Sequence, residues 1–375
     1  MIPLFKVRMA KEAPERVREV LESGYIGQGP MVEKFETLLE AKFGRRPLTT
    51  SSCTHALDLA YYLVGVQRYS IVISTPMTCL ATNLPLYHRG ARIVWADTEP
   101  YTGNIDPDDV ERIIKLHKQR HEHITAIVCV AWTGRDVRER LEEVSTKYNI
   151  PVIEDAAHVF HRKEWGQPED WYTAYSFQAI KHLTTGDGGA LIVPKGEYDR
   201  AKRLRWFGLD RTKGGMRGGD AVPEAGFKYH MNDIAAAIGI ANFNEACDSV
   251  ARARDNAKYY QTQLKRAHVI QAPPPDETSS WWMYVIQTPR RKQFIKFMAK
   301  RGIMVGTAHR DNRLSYLWPP NIDYGTPNVT EYDAEQCSIP VGWWLNWDTR
   351  EAIVAALMEW DSQLPMRSPK RREVG

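Results

Sequence analysis

A single lysine in a loop between two predicted strands is the side chain of this sequence with the clearest potential for chemistry. Lys181 lies in the stretch from Ser176 to Gly189, which ends one short apolar strand and leads into another. A lysine amine held between buried strands can lose its charge by desolvation and become a nucleophile toward a carbonyl carbon. A solvated loop lysine is the commoner alternative, so the interpretation depends on whether the sequence supplies the other parts of a Schiff-base site.

An acidic residue at the end of a different predicted strand could complement this amine. The apolar residues 151–153 predict a strand that runs directly into Glu154 and Asp155. Two alanines follow, and their small side chains leave room for a flat ring beside a carboxylate. A turn or capping aspartate is the structural alternative, so Asp155 gains weight only in combination with the lysine.

A polar run before a predicted helix could bind a phosphate group. Residues 51–55 contain three hydroxyl side chains, and residues 56–64 have helical periodicity. Small hydroxyl residues at a helix start cap the helix, and the same free N–H groups can hold an anion. Capping alone is the commoner use of such residues, so the anion-binding interpretation also depends on the rest of the site.

The elements that must position these residues alternate between strands and helices. Strands are predicted over residues 70–74, 91–95, 124–131 and 151–153, and helices over residues 79–88, 107–118 and 137–148. This alternation predicts a parallel α/β sheet, in which ligands bind at the carboxyl ends of the strands. Three consecutive prolines, at 273–275, indicate a boundary. The strands and helices predicted beyond it cover residues 282–287, 290–301, 303–306 and 350–363.

We therefore divide the chain into three parts. Residues 1–245 would form a large ligand-binding domain with an N-terminal arm, and residues 246–365 a smaller C-terminal α/β domain that includes a long connecting helix. Residues 366–375 form a basic tail that we expect to be disordered.

Composition restricts the possible classes of function. The chain has 375 residues, of which 43% are hydrophobic and 26% charged, as is ordinary for a globular protein with a sizeable core. Its net charge of +4 mildly favours anionic small molecules and gives no reason to expect nucleic acid as a partner. The five cysteines are scattered without a C-x-x-C pair, which fits a reducing compartment. We expect neither a signal peptide nor a membrane span, and hence a cytoplasmic location.

Three histidines near the end of one predicted helix raise the question of a metal site. His117 and His121 are four residues apart, and His123 follows closely. They lie among lysine, arginine and glutamate side chains, and no cysteine or second cluster completes a ligand set. A solvated helix face is the better interpretation, and no metal is expected.

Taken together, these stretches resemble the DegT/DnrJ/StrS family of pyridoxal-phosphate-dependent sugar aminotransferases over nearly the whole chain. The resemblance is carried by residues 24–30, 52–57, 76–82, 154–158, 176–189 and 226–237. Several motifs in the same order are far more specific than any one of them. The resemblance implies fold type I of the pyridoxal-phosphate-dependent transferases. That fold has a large domain with a mixed, mainly parallel sheet flanked by helices, and a smaller C-terminal α/β domain.

The resemblance also implies roles for the residues that could do chemistry. Lys181 would form a Schiff base with the aldehyde of pyridoxal 5′-phosphate and then carry a proton as general acid and base. Asp155 would pair with the pyridinium nitrogen and keep it protonated. His158 occupies the position near the ring hydroxyl, where the family often has glutamine or histidine.

Further positions are implied around the cofactor and the substrate. Cys53 and Thr54 at the helix start, with the hydroxyl of Ser176, would hold the phosphate, and Ala157 would lie against one face of the ring. Tyr25, Ile26 and His230 are the expected substrate contacts.

Two positions depart from the family pattern. Cys79 stands where the family usually has an aromatic side chain stacked on the cofactor, so stacking there is weakened or supplied from elsewhere. Lys228 replaces the asparagine that reaches the phosphate from the neighbouring subunit in relatives. It could do so as a point charge, or it could indicate altered substrate contacts. Both departures affect the expected affinity for cofactor and substrate more than the type of reaction.

The expected activity is transfer of an amino group, with glutamate as donor, to a nucleotide-linked keto-sugar by a ping-pong mechanism. A homodimer with active sites at the subunit interface is the expected assembly. Transfer to a keto-cyclitol is one alternative, and a non-catalytic regulator with the same fold is another. A sugar dehydratase is a third, although relatives with that chemistry have histidine where this chain has Lys181.

Overall fold

The computed structural model describes residues 1–160, 169–210, 222–315 and 322–366. Within these ranges, eight strands form one sheet and two strands form a second. The strands of the large sheet are β1 (Leu48–Thr50), β2 (Ile71–Ser74), β3 (Arg92–Trp95), β4 (Ile124–Val130), β5 (Val152–Asp155), β6 (Tyr172–Ser176), β7 (Gly189–Ile192) and β9 (Ile322–Asp323). The small sheet pairs β8 (Tyr284–Gln287) with β10 (Gln336–Ile339).

Eleven α-helices accompany these strands in the described ranges. In chain order they are α1 (Ala13–Ser23), α2 (Pro30–Phe43), α3 (Cys53–Leu63), α4 (Leu80–His88), α5 (Pro107–Gln119), α6 (Arg138–Tyr148), α7 (Tyr198–Leu204), α8 (Asp233–Gln263), α9 (Arg291–Lys300), α10 (Pro327–Glu335) and α11 (Trp347–Ser362). None of these helices combines the length and the apolar character needed to cross a membrane.

The large sheet has the order β1-β7-β6-β5-β4-β2-β3-β9. Neighbouring strands are parallel except where β7 pairs with β1 and β6. The chain passes from β2 outward to β3 and then returns to the other side of β2 as β4. The connections that leave β2 and β4 therefore run in opposite directions. In open α/β sheets, ligands bind in the crevice at the carboxyl ends of two such strands.

The sheet is covered by helices on both faces, which explains why its central strands are apolar throughout. On one face, Leu57 and Tyr61 of α3 pack against Val72 and Val128. On the other face, Ile113 of α5 belongs to a separate buried cluster with Ile73 and Ile127. A strand buried on both faces reads as a continuous hydrophobic run, as β2 and β4 do.

The predicted alternation of strands and helices up to residue 153 is confirmed, with differences of a few residues at the element ends. The strand predicted over residues 303–306 is wrong, because Ile303 and Gly306 form only isolated bridges with Ile2 and Ser338. Strand β9 was not predicted, and it extends the large sheet beyond β3.

The predicted division into domains stays a prediction. The boundary at residues 245–246 falls inside the continuous helix α8. The basic tail lies outside the described residues from position 367 onward.

A buried ion pair joins α2 to the segment that follows α7. Arg205 donates to Glu36 over 2.6 Å and to the backbone oxygen of Thr49 over 2.8 Å. Glu36 also accepts hydrogen bonds from the backbone and side chain of Thr49, at 2.9 and 2.8 Å. Both charged side chains are at most 5% exposed. The pair therefore fixes β1, at the edge of the large sheet, against two helices.

Replacing Arg205 with methionine should lower the free energy of unfolding by about 3–5 kcal/mol, because Glu36 would remain buried without a counter-charge. Urea denaturation of the purified variant measures this loss. The matched control is Arg18→Met, which removes an exposed arginine paired with Glu15 and Glu22, and it should change stability by no more than about 0.5 kcal/mol. Equal losses in the two variants would contradict a structural role for the buried pair.

Candidate active site

The residues predicted to do chemistry meet at the carboxyl edge of the large sheet. Asp155 is the last residue of β5, and its neighbours in the sheet are Val130 of β4 and Ala174 of β6. Lys181 lies in the loop that follows β6. Parallel strands β4, β5 and β6 thus bring an amine and a carboxylate, which are far apart in sequence, to one crevice.

The loop that carries Lys181 is held by its own hydrogen bonds. The backbone N–H of Lys181 donates to Gln178 over 2.9 Å, and the side chain of Gln178 accepts from the backbone of Ile180 over 3.1 Å. Phe177 pairs through its backbone with Gly188 and Thr185, each over 2.9 Å, which closes the base of the loop. These bonds fix the point from which the lysine side chain extends.

The side chain of Lys181 is half-buried against an aromatic ring. Its nitrogen is 3.4 Å from the centroid of the Trp282 ring. Burial lowers the pKa of Lys181 to about 8, even though the nearby carboxylate of Asp155 favours the charged form. A substantial share of the amine is therefore neutral and nucleophilic near neutral pH.

The carboxylate of Asp155 is 4% exposed and is held by three donors. The hydroxyl of Thr82 on α4 donates over 2.7 Å and the backbone N–H of Ala157 over 3.0 Å, and the thiol of Cys53 lies 3.9 Å away. Burial raises the pKa of Asp155, and the hydrogen bonds and Lys181 oppose that shift. The hydrogen bonds orient the carboxylate but do not fully offset the cost of burying its negative charge. A cationic ring nitrogen is therefore a suitable partner for it.

His158 lies buried beside these two residues. Its ring stacks on Trp282 with centroids 4.1 Å apart and planes inclined by 20°. Burial, followed by the charge of Lys181 and by His309, lowers the pKa of His158 well below its ordinary value, so the ring is neutral. Within the described part of the chain, Nδ1 of His158 is buried and has no hydrogen-bond partner. A ring hydroxyl is one group that could satisfy it.

The residues predicted to hold a phosphate are also close together. Ser176 pairs with Gly189 across β6 and β7. A Cβ atom added at Gly189 would meet the backbone nitrogen of Cys53 at 2.5 Å, so the start of α3 packs directly on this glycine. Cys53 and Thr54 are the first two residues of α3, and Ser52 caps the helix by accepting from the backbone of His55 over 3.2 Å. The other N–H groups of the first turn are suited to bind an anion.

Cys79 and Ala157 lie at the edges of the same site. Cys79 is half-buried at the start of α4, and burial raises the pKa of its thiol, with Asp155 adding to the shift and Lys181 opposing it. Ala157 is half-buried and contributes its backbone N–H to Asp155. An aromatic side chain, Trp282, lies against the amine of Lys181.

Four predicted residues lie on a second surface, built around Trp206. His230 stacks on the Trp206 ring with centroids 3.7 Å apart, and the amine of Lys228 lies 5.3 Å from the ring of Phe207. Tyr25 and Ile26 are 54% and 50% exposed. A cleft of about 610 Å³ lies among Tyr25, Trp206 and neighbouring residues. The backbone oxygen of Tyr229 accepts from Ser51 over 2.7 Å, so this second surface borders the segment that leads into α3.

Sequence reasoning missed three residues of the site. The sequence does not single out Trp282, Thr82 or His309 as functional residues. His309 lies near His158 with parallel rings 5.7 Å apart, and burial lowers the pKa of His309 to about 4. Thr82 belongs to the motif at residues 76–82, so its hydroxyl offered a signal, whereas Trp282 and His309 reach the site only through the fold.

The sheet and the site together define a class of protein. A mixed, mainly parallel sheet flanked by helices, with an amine and a carboxylate at its carboxyl edge, is the arrangement of pyridoxal-phosphate-dependent transferases of fold type I. The predicted fold class is confirmed.

Comparison with known proteins gives the family. The model of the DegT/DnrJ/EryC1/StrS aminotransferase family matches residues 7–358, and the chain belongs to this family. The structure of AtS13 from Actinomadura melliaura is similar, with a TM-score of 0.87, 36% identity, and coverage of 96% of this chain and 98% of AtS13. The sugar aminotransferase CalS13 from Micromonospora echinospora has a TM-score of 0.86 at 31% identity, covering 96% of this chain and all (100%) of CalS13.

One relative is named after a nucleotide-linked compound. The UDP-4-amino-4,6-dideoxy-N-acetyl-beta-L-altrosamine transaminase of Campylobacter jejuni is 30% identical over 260 residues, which cover 67% of this chain and 66% of that protein. The protein is therefore an aminotransferase of a family that acts on sugars, and pyridoxal phosphate is its cofactor.

The residues of the site fit this cofactor. Asp155 presents a buried carboxylate that lacks a full counter-charge, and His158 presents a buried nitrogen without a partner among the described residues. The start of α3 beside Ser176 offers free N–H groups for a phosphate. Lys181 supplies the amine that can bond to an aldehyde.

The lowered pKa of Lys181 predicts how the cofactor-free protein reacts with an amine reagent. Labelling of Lys181 by trinitrobenzenesulfonate should rise with pH around a midpoint near 8, because only the neutral amine reacts. At a pH of about 7.5 the neutral fraction should exceed that of an ordinary lysine by about 200-fold. Peptide mass spectrometry over a pH range of about 6–11 measures the labelling, with Nα-acetyl-lysine in the same tube as the control. Parallel profiles for Lys181 and the control would contradict the predicted desolvation.

Proposed function

We propose that this protein transfers the amino group of an amino acid, with glutamate as donor, to a nucleotide-linked keto-sugar by a ping-pong mechanism. The observation that carries this proposal is the meeting of the Lys181 amine and the Asp155 carboxylate in one buried crevice of a sugar-aminotransferase fold. The UDP-linked compound in the name of the Campylobacter jejuni relative supports a nucleotide-linked acceptor. The small positive net charge is compatible with an anionic substrate.

Each residue of the site has a task in this reaction. When bound, pyridoxal phosphate supplies the carbonyl group for amine exchange and a ring that accepts electrons from the reacting carbon. Lys181 would hold the cofactor through its aldehyde, and the free amine of Lys181 would move a proton to and from the substrate carbon. Asp155 would keep the proton on the ring nitrogen, and His158 would hold the ring hydroxyl.

The presence of lysine at position 181 favours amine transfer over sugar dehydration. A lysine can both bond to the cofactor and release it to a donor amine, and its pKa of about 8 allows it to accept and donate protons near neutral pH. An amino-acid donor enters first and leaves as a keto acid, and the keto-sugar then receives the nitrogen. Two substrates that use the same site in turn give ping-pong kinetics.

We also propose that the protein acts as a homodimer with active sites at the subunit interface. The second surface, with Tyr25, Ile26, Lys228 and His230, would face the site of the partner subunit. Tyr25 and Ile26 are large side chains exposed on a loop, and the exposed amine of Lys228 lies 5.8 Å from the ring of Trp206, which lines the same cleft as Tyr25. Lys228 would then reach the cofactor phosphate of the partner, and the other three would contact its substrate.

The loop of this second surface is held firmly in place. Asp233 accepts hydrogen bonds from the backbone of Gly29 over 2.7 Å and of Val32 over 3.1 Å, and its own N–H donates to Gly27 over 2.7 Å. The loop that carries Tyr25 and Ile26 is thus tied to the start of α8. We further propose a cytoplasmic location, which the five free cysteines support.

Replacing Lys181 with alanine should reduce amine transfer from glutamate by on the order of 10⁵-fold while leaving the fold intact, because the variant lacks the reacting amine. The assay uses a panel of nucleotide-linked keto-sugars and keto-cyclitols, with initial rates of the wild type measured at several donor concentrations. Lys195→Ala, which removes an exposed lysine, is the control and should retain full activity. Turnover by the Lys181→Ala variant would refute the assignment, and transfer only to keto-cyclitols would refute the proposed acceptor.

Mixed dimers should show whether the two surfaces complete one site across the interface. Lys181→Ala and Lys228→Ala homodimers should both be nearly inactive, whereas a mixed dimer isolated through two affinity tags should regain about half of the wild-type activity. In one of the two sites of this mixed dimer, positions 181 and 228 are then both lysine. The control is a mixed dimer of Lys181→Ala and Asp155→Asn. In that dimer each site lacks one residue of its own subunit, so it should stay inactive. No recovery in the first mixed dimer would contradict a shared site.

A further inference from the structure

The amine of Lys181 is in unusually close contact with an aromatic ring. A cation–π interaction is significant when the cation lies within about 6 Å of the ring centroid, and tryptophan provides the strongest such ring. The Lys181 nitrogen is 3.4 Å from the centroid of Trp282. The negative face of the indole therefore stabilises the charged form of the amine, together with the carboxylate of Asp155 and against the effect of burial.

Three contacts fix the orientation of the Trp282 ring. Its indole N–H donates to the backbone oxygen of Ile180, the residue before Lys181, over 2.9 Å. Its backbone N–H donates to Thr133 over 3.1 Å, in the segment after β4. Its ring stacks on His158. A single side chain thus contacts the amine, the loop that carries the amine, and the histidine beside it.

The N-terminal arm supports Trp282 from a distant part of the sequence. Phe5 stacks on Trp282 with centroids 4.9 Å apart and planes inclined by 21°. The arm itself is tied down on the C-terminal half of the chain. Ile2 bonds through its backbone to Gly302 over 2.6 Å, and the indole N–H of Trp344 donates to Pro3 over 3.0 Å. The orientation of the ring therefore depends on residues at both ends of the chain.

We propose that Trp282 is a positioning residue that holds the amine of Lys181 against its ring whenever that amine is not bonded to the cofactor, and that Phe5 keeps Trp282 in this orientation. To transfer a proton, the free amine of Lys181 would have to stay close to the reacting carbon. An aromatic face restricts where the amine can lie. It does so without a hydrogen bond that would have to be broken before the amine reacts. The proposal rests on Lys181 being the reacting amine, as proposed above.

Other charged and titratable groups also act on this amine, so the test must change only the ring. These groups are Asp155, Cys53, Cys79, His158, His182 and His309. Trp282 is 5% exposed, and a substitution that changes its volume would disturb the packing as well as the electrostatics. Fluorination of the indole withdraws electron density from the ring face while nearly preserving its shape.

The experiment incorporates mono-, di- and trifluorinated tryptophan at position 282 alone and measures the pKa of Lys181 in the cofactor-free protein by pH-dependent labelling. The pKa should fall stepwise with each fluorine, toward a total fall of about one unit, because the charged amine loses its attraction to the ring. The melting temperature should stay close to that of the wild type. The same series at Trp347, an exposed residue that contacts Arg350, is the control and should leave the pKa of Lys181 unchanged.

Two outcomes would overturn the proposal. An unchanged pKa of Lys181 across the Trp282 series, in a protein that remains folded, would show that the ring only packs against the side chain. A Phe5→Leu variant, which keeps an apolar side chain but loses the flat ring, should show a smaller fall in the same direction, and no fall would exclude the role of Phe5. Both readouts are taken without cofactor, so they fail independently of the Lys181→Ala activity test.

Discussion

The structure depends on keeping an amine and a carboxylate together where water is scarce. Burial favours the neutral form of both Lys181 and Asp155, and their mutual attraction only partly opposes this effect. The three donors around Asp155 and the ring of Trp282 beside Lys181 make the arrangement tolerable. A positively charged ring that carries an aldehyde could engage both groups, because its nitrogen would pair with Asp155 and its aldehyde would bond to Lys181. This site is therefore suited to pyridoxal phosphate.

The fold creates this arrangement through strand order. Because the chain leaves β2 in one direction and returns on its other side as β4, a crevice opens at the carboxyl ends of the central strands. The absence of a side chain at Gly189 lets the start of α3 approach β7, which brings N–H groups for a phosphate beside Ser176. The crevice thus combines a reactive amine, an oriented acid and a helix start that is suited to bind an anion.

Motifs in the sequence were sufficient to predict part of the fold and of the candidate site, but not all of either. Lys181, Asp155 and His158 stand in motifs whose spacing follows the strand ends, so their meeting could be predicted, together with the parallel sheet. The contacts of Trp282 with Phe5, Lys181 and His158 join segments that are far apart in sequence, and no local pattern encodes them. Strand β9 is only two residues long, too short for any periodicity to indicate it. The buried pair of Arg205 and Glu36 likewise depends on tertiary packing.

The most direct test of the central claim is to find where the cofactor bonds to the chain. The protein is incubated with pyridoxal phosphate, the resulting bond is reduced with borohydride, and peptides are analysed by mass spectrometry. The phosphopyridoxyl group should be found on the peptide that contains Lys181, in about one copy per chain. The same group on a different lysine, or on no peptide at all, would contradict the account.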